Sequence, residues 1–190
     1  MNKILLFDYF GVVASDAYWY TIKGVEALNG RAVEIEELSR KVNDGRISWQ
    51  EYCKEVAKDL NISIEQVLER YEQHNVNEGV VKLINELRAT HTVSLASNAA
   101  SEHMLPIMRR TGLDKLFDET FFSSDIGVSK PESRFFEYIM QFYEKEAEDF
   151  VFIDDSLLNV ESAENIGIKA IHFTTTESLI EDLDAYINTQ

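Results

Sequence analysis

Cysteine is nearly missing from this chain: its 190 residues include one, Cys53. That excludes an internal disulfide and any metal site built on clustered thiolates. Proline is almost as scarce, with Pro106 and Pro131 alone, and neither a low-complexity tract nor an internal repeat interrupts the sequence. No apolar run approaches the ~18 residues of a membrane-spanning helix. The histidines, His74, His91, His103 and His172, show no metal-ligand spacing. Positive charge is short: 18 Lys+Arg face 34 Asp+Glu, for a formal net charge of −16. Such a field opposes nucleic acid and anionic membranes as partners. It also repels anionic substrates, so any phosphate site must be made positive locally, by a metal, a lysine or helix N-termini. Met1-Asn2-Lys3 leads into a four-residue apolar stretch, shorter than a signal-peptide core. A soluble, reducing, cytoplasmic setting is therefore the expectation.

What the chain does have is enough apolar residue, 45%, to bury a substantial core. Its length suits one domain with a large insert, or two small domains. Two short apolar runs far apart end in acids. Ile4-Leu5-Leu6-Phe7 runs into Asp8, and Phe150-Val151-Phe152-Ile153 runs into Asp154-Asp155. Runs of this kind read as buried parallel strands. In open α/β sheets, ligands sit beyond the carboxyl ends of the strands, where connections depart in opposite directions. Three acids delivered to that edge repel one another unless a cation sits among them. An all-oxygen donor set suits a hard metal ion.

The periodicities predict strands over 4–8, 92–97, 119–123, 150–153 and 169–173. Helices are predicted over 78–90, 100–111, 132–145, 157–166 and 177–187, with Pro106 kinking or breaking the second. Residues 9–15 read as a loop in which Gly11 permits an unusual backbone angle near the site. Residues 124–131 read as a loop ahead of a helix that starts just after Pro131. Gly167 closes the helix over 157–166. Between 16 and 75 no strand is convincing. Ser48 and Glu51 make a capping-box pattern there, and Ser63 caps a further helical stretch. Five strands alternating with helices give a doubly wound, parallel, five-stranded α/β sheet, of Rossmann-like type, with a small helical insert.

Four strand ends or helix starts thus present polar groups on one edge: Asp8, Ser97-Asn98, Lys130 and Asp154-Asp155. Phosphoryl transfer uses such a set. A carboxylate attacks phosphorus, a metal offsets charge repulsion, and a hydroxyl and a lysine hold the phosphate.

In these motifs the chain resembles the haloacid dehalogenase-like (HAD) hydrolase superfamily over essentially its whole length. The resemblance implies a core of residues 1–15 and 76–190 and a helical cap of about 16–75. It matches Asp8 to the nucleophile, Ser97 to the second motif, Lys130 of Lys130-Pro131-Glu132 to the third and Asp154-Asp155 to the acidic fourth. It implies Mg²⁺ held by Asp8, the Phe10 carbonyl, Asp155 and Asp154, with Ser97, Asn98 and Lys130 on the phosphate. Asn159 matches a position that is acidic or amide in many members. The implied activity is an Mg²⁺-dependent phosphatase of a small phosphorylated metabolite, a sugar phosphate being one candidate, through an aspartyl phosphate. The acidic pair favours this over a metal-independent dehalogenase.

One departure stands out. Phosphatases of this family usually carry Asp-x-Asp, the second Asp serving as acid and base, and here that position is Phe10. Asp16, His103 and a metal-bound water are the alternatives for that role. The departure also motivates a rival, a catalytically impaired phosphate- and metal-binding or regulatory protein. Against function stand plainer roles. Asp8 and Asp155 could cap a strand end and a helix, Ser97 and Asn98 could be turn residues, and Lys130 could lie on the surface. Tyr18, Trp19 and Tyr20 read as packing of the insert's first helix. Arg46 and Trp49, between helices of the insert, are placed within reach of the site.

Overall fold

The computed structural model describes residues 2–15, 32–72 and 75–187. Asp16, Tyr18, Trp19, Tyr20 and His74 lie outside the described residues. Strands β1 (Ile4–Phe7), β2 (Thr92–Ser97), β3 (Glu119–Phe122), β4 (Phe150–Asp154) and β5 (Lys169–His172) form one sheet in the order β3-β2-β1-β4-β5. All its pairings are parallel. Helices α1 (Ala32–Asn43), α2 (Trp49–Leu60) and α3 (Ile64–Tyr71) lie between β1 and α4 (Glu78–Leu87). Next come α5 (Ser101–Thr111), the single turn α6 (Ser123–Ile126), α7 (Ser133–Tyr143), α8 (Leu157–Asn165) and α9 (Thr176–Ile187).

Period-two alternation explains why the strands are apolar throughout and why helices cover both faces. Leu5, Phe7, Val93, Leu95, Val151 and Ile153 share one core with Val80 and Ile84 of α4, Met104 and Met108 of α5, and Leu179 and Leu183 of α9. Ile4, Leu6, Phe150 and Phe152 face the other way, onto Phe135, Phe136 and Ile139 of α7 and Val160 and Ala163 of α8. The chain leaves β1 toward β2 on one side and returns to β4 on the other. The crevice at that switch point is where this sheet type places its ligands.

Helices α1–α3 bury a third cluster of their own, with Ile35, Tyr52, Val56, Leu60 and Val67 at its centre. Ala100, at the start of α5, is its one buried member from the α/β part. Ser48 and Ser63 begin α2 and α3 with complete capping boxes, closed by Glu51 and Gln66. Each satisfies two N-terminal backbone donors reciprocally.

Three local expectations are corrected. Pro106 neither breaks nor ends α5, which runs through it. Its missing N–H forfeits one bond, to the carbonyl of Glu102, and that residue is exposed to water. The segment 124–131 is not all loop, because α6 opens it and Gly127 closes that turn at φ +80°. Helix α4 stops at Leu87, three residues short of the expectation, with Arg88 as its C-cap.

Candidate active site

Register brings the acids together. Phe7 lies beside Leu95 on one side and Ile153 on the other, so the next residues along β1 and β4, Asp8 and Asp154, emerge as neighbours. The Asp8 N–H donates to the Ile153 carbonyl at 2.9 Å, which carries the pairing one residue past the strand. Lys130 reaches between the two carboxylates. Its Nζ lies 3.0 Å from Asp8 Oδ1 and 2.6 Å from Asp154 Oδ2. Asp8, Lys130 and Asp154 are all buried, at 8%, 4% and 0% exposure. A charge that deep is tolerated only when paired and hydrogen-bonded.

Several groups hold this triad in place. Asn98 clamps the Lys130 backbone from both ends: its Nδ2 donates to the Lys130 carbonyl and its Oδ1 accepts from the Lys130 N–H, each at 2.8 Å. Asn159 Nδ2 donates to both oxygens of Asp154, at 3.0 and 3.1 Å. The Ser156 N–H adds a bond to Asp154 Oδ1 at 2.8 Å. Both oxygens of Asp154 are therefore engaged, whereas Asp155 is exposed at the rim. Its backbone carbonyl meets His172 Nε2 at 3.0 Å. The Asp8 carboxylate accepts from the Tyr9 N–H at 2.7 Å.

Burial pushes the Asp8 carboxyl well above the usual carboxylate range, against the opposing pull of Lys130, and the charge of Asp154 adds to the rise. Burial, then Asp154, raises Asp155 as well. For Lys130, burial works against the charge, but Asp8 and Asp154 together hold the ammonium above its ordinary value. Oxygens of Asp8, Asp154 and Asp155 all lie within 4.8 Å of one another. Three carboxylates against one ammonium leave this cluster short of positive charge, and its donors are all oxygen. The set is suited to a hard divalent cation. Gly11 permits the close approach: it has φ +82°, and a Cβ there would stand 2.2 Å from Asp155 Oδ2.

Ser97, the last residue of β2, is fully buried, and its hydroxyl has no hydrogen-bond partner among the described residues. A buried hydroxyl without a partner is costly and calls for an explanation, such as a ligand oxygen. Ser97 does not itself line the cavity described next, whereas Asn98 does.

A cavity of about 350 Å³ opens above the acids. Asp8, Phe10, Lys130 and Asp155 line its floor, and Trp49, Tyr52, Tyr71 and His103 line its far side. Trp49 stacks on His103 with centroids 4.1 Å apart and an interplanar angle of 20°. Tyr71 stands edge-on to Trp49 at 4.5 Å. Trp49 is therefore at the site, as its place in the sequence suggested. Arg46 is not: it lines no part of this cavity, is largely exposed and pairs with Asp44 at 3.2 Å. His103, which lacks ligand spacing, proves to be part of the wall. Tyr52 and Tyr71 were missed from sequence, although the capping box at Ser48 sets Trp49 and Tyr52 three apart on one helical face. Phe10 lines the floor with a ring that meets Tyr9 edge-on at 5.0 Å. That side chain holds no transferable proton.

The sequence profile of haloacid dehalogenase-like hydrolases matches residues 2–167. Drimenol cyclase drtB of Aspergillus calidoustus is 41% identical over 58 residues, which are 30% of this chain and 11% of that protein. Sesquiterpene phosphatase astK of Aspergillus oryzae is 36% identical over 59 residues, 31% of this chain and 30% of that one. The matches thus span less than a third of the length of either curated relative. The fold agrees with the HAD family enzyme bt-2542 of Bacteroides thetaiotaomicron, crystallised in complex with magnesium and inorganic phosphate. That structure gives a TM-score of 0.75 at 20% identity, over 92% of this chain and 95% of the other. A parallel sheet with acids at the ends of its two central strands, and a profile match over most of the sequence, lead to one conclusion: the chain belongs to the haloacid dehalogenase-like hydrolases.

Proposed function

We propose that this hydrolase is an Mg²⁺-dependent phosphatase of a small phosphorylated metabolite, with Asp8 as its nucleophile. The observation that carries the proposal is the convergence of Asp8, Asp154 and Asp155 around Lys130 at the floor of a cavity. The Ser97 hydroxyl at the end of the adjacent strand β2, without a hydrogen-bond partner among the described residues, supports it, as does the match to a protein named as a phosphatase.

In the first step an Asp8 oxygen attacks phosphorus as the ester oxygen departs. Lys130 and Ser97 hold the phosphate oxygens as charge spreads over them. Asn98 acts on the phosphate chiefly through the Lys130 backbone that it clamps. Mg²⁺, held by Asp8, the Phe10 carbonyl and Asp155 with Asp154 assisting, would offset the repulsion between carboxylate and phosphate. The segment of about 16–75 acts as a cap that excludes water during this step. In the second step water attacks phosphorus, releases phosphate and restores Asp8. Phe10 contributes no proton to either step, so the second depends on a slower route to water activation.

Phosphate release from a panel of phosphorylated metabolites, with Mg²⁺ or EDTA, tests the proposal on wild type and Asp8→Asn. Release that needs the metal and falls by about 10³-fold or more in the variant is the expected result. Phe10 also favours a second reading, a protein that binds metal and phosphate with little turnover. That reading gains if folded wild-type protein binds Mg²⁺ and releases no phosphate from any substrate.

A further inference from the structure

The cap lines the cavity unevenly. Sugars are held by hydrogen-bonding groups matched to hydroxyls all round the ring, whereas, among the described residues, the charged and amide groups that the cap supplies come from one helix and its lining outside that helix is aromatic. Here the far wall is a continuous set of rings. Trp49 stacks on His103, Tyr52 lies at 5.3 Å and 23° to Trp49, and Tyr71 closes the set edge-on. The hydroxyls of Tyr52 and Tyr71 are hydrogen-bonded to each other, and Tyr52 also meets Ser39 Oγ at 3.1 Å. Two groups that could have read a sugar are thus already engaged within the wall. Apart from these tyrosines, the polar cap residues lining the cavity, Glu36, Ser39, Arg40 and Asn43, come from a single helix, α1. A flat body with one polar edge fits that asymmetry. At about 350 Å³ the cavity is near the small end for ligand sites, which leaves room for a phosphate and roughly one or two fused rings.

A second observation points the same way independently. Phe10 lines the floor beside Asp8, where a proton donor to the departing oxygen would be expected. General-acid help is worth typically ~10²–10⁴-fold for a poor leaving group. An alkoxide needs that help, whereas a phenolate, far less basic, leaves without it.

We propose that the substrate is an aryl phosphate, a phosphomonoester whose bridging oxygen is carried by an aromatic ring. The proposal rests on the phosphatase reading above. The P–O bond to the ring breaks and the Asp8 Oδ–P bond forms. The electron pair leaves on the phenolate, which takes its proton from solvent. Water then attacks phosphorus, releasing inorganic phosphate and a proton and regenerating the carboxylate. The ring lies against Trp49, where aromatic contacts add to plain burial.

Three substrates separate the claims: 1-naphthyl phosphate, glucose 6-phosphate and geranyl phosphate, each assayed with Mg²⁺ beside acetyl phosphate as a reference that needs the phosphate site alone. The expected kcat/KM for the naphthyl ester exceeds that for the hexose and geranyl esters by about 100-fold. In Trp49→Ala the ratio of kcat/KM for naphthyl to that for acetyl phosphate falls about tenfold, and Trp49→Phe restores much of it. Acetyl phosphate turnover with the hexose or geranyl ester matching the naphthyl ester overturns this inference and leaves the phosphatase standing. An unchanged ratio in Trp49→Ala overturns the placement of the ring. If Trp49→Ala does not fold, Trp49→Phe and the wild-type ranking decide. No turnover of any of the four by folded protein overturns the phosphatase reading and this inference with it.

Discussion

The floor of the cavity sets carboxylates and an ammonium at the edge of a buried sheet, whereas its roof consists of aromatic rings on helices that pack in a core of their own. The floor is fixed by strand register: Asp8 and Asp154 sit side by side because β1 and β4 pair from Ile4 to Phe7. Two residues there have a dedicated amide, Asn159 for the Asp154 carboxylate and Asn98 for the Lys130 backbone. Among the described residues the roof meets the α/β part through individual side-chain contacts, Arg110 with Glu72 at 3.3 Å among them. Trp49 stacks on His103 and its backbone N–H donates to Glu102 Oε2 at 3.3 Å, while Ser129 Oγ donates to Asp44 Oδ1 at 2.5 Å. On the proposed reading the floor carries the chemistry and the roof places the ring of the substrate.

The change that breaks the floor most completely is Gly11→Ala. It forces φ +82° on a residue with a Cβ and drives that Cβ into the Asp155 carboxylate. Isothermal titration is expected to show Mg²⁺ affinity down by about 100-fold, as when groups that position ligands are displaced. Aryl and acyl phosphate turnover fall with it.

Phe10→Asp sharpens the contrast from the other direction. An acid at that position supplies the missing proton transfer, so turnover of alkyl phosphates rises by about 10–100-fold. The kcat/KM of aryl phosphates, set by a first step that needs no protonation, changes little, whereas their kcat rises with faster hydrolysis of the intermediate, and selectivity in kcat/KM narrows without any change to the roof. Phe10 packs partly against the core, so a thermal melt of this variant shows some loss of stability.

The smallest effect concerns the charge balance of the floor in metal-free protein. Asp8 titrates above its unfolded value, chiefly because it is buried. Between those values the folded protein holds a proton that the unfolded chain has released. Stability of the metal-free protein therefore falls as pH rises through that window. Asp8→Asn removes the charge that causes this. At pH 7 in EDTA its melting temperature is expected to be about 2–4 °C above wild type. Mg²⁺ raises the wild-type melting temperature instead and reduces the difference.

These two layers also differ in how far they could be read from sequence. The five strands were legible because each is a short apolar run ending in a polar residue, and the parallel sheet followed from their alternation with helices. Asp8 and the acidic pair were legible because a strand end leaves few choices for where a side chain goes, and Lys130 because it precedes Pro131 and Glu132 at a helix start. Asn98 was found as a position, but its clamp on the Lys130 backbone depends on two loops meeting, which no local pattern encodes. The roof was legible only at Trp49. Tyr52 and Tyr71 sit on apolar helical faces like ordinary core residues, and only packing reveals that those faces border a cavity. Arg46 failed for the same reason: position between helices does not fix direction. Pro106 shows the limit of a local rule, since losing one helical bond is tolerable where the freed carbonyl belongs to an exposed residue.

The central claim is that Asp8 attacks phosphorus and, with Phe10 in place of an acid, waits as a phosphorylated intermediate. Acid-quench labelling with radiolabelled acetyl phosphate and Mg²⁺, followed by peptide mapping, tests it most directly. The account predicts a hydroxylamine-labile label on the peptide containing Asp8, formed in a burst of nearly one per chain and lost in Asp8→Asn. Steady phosphate release with no label on that peptide, or a label that survives Asp8→Asn, would contradict it.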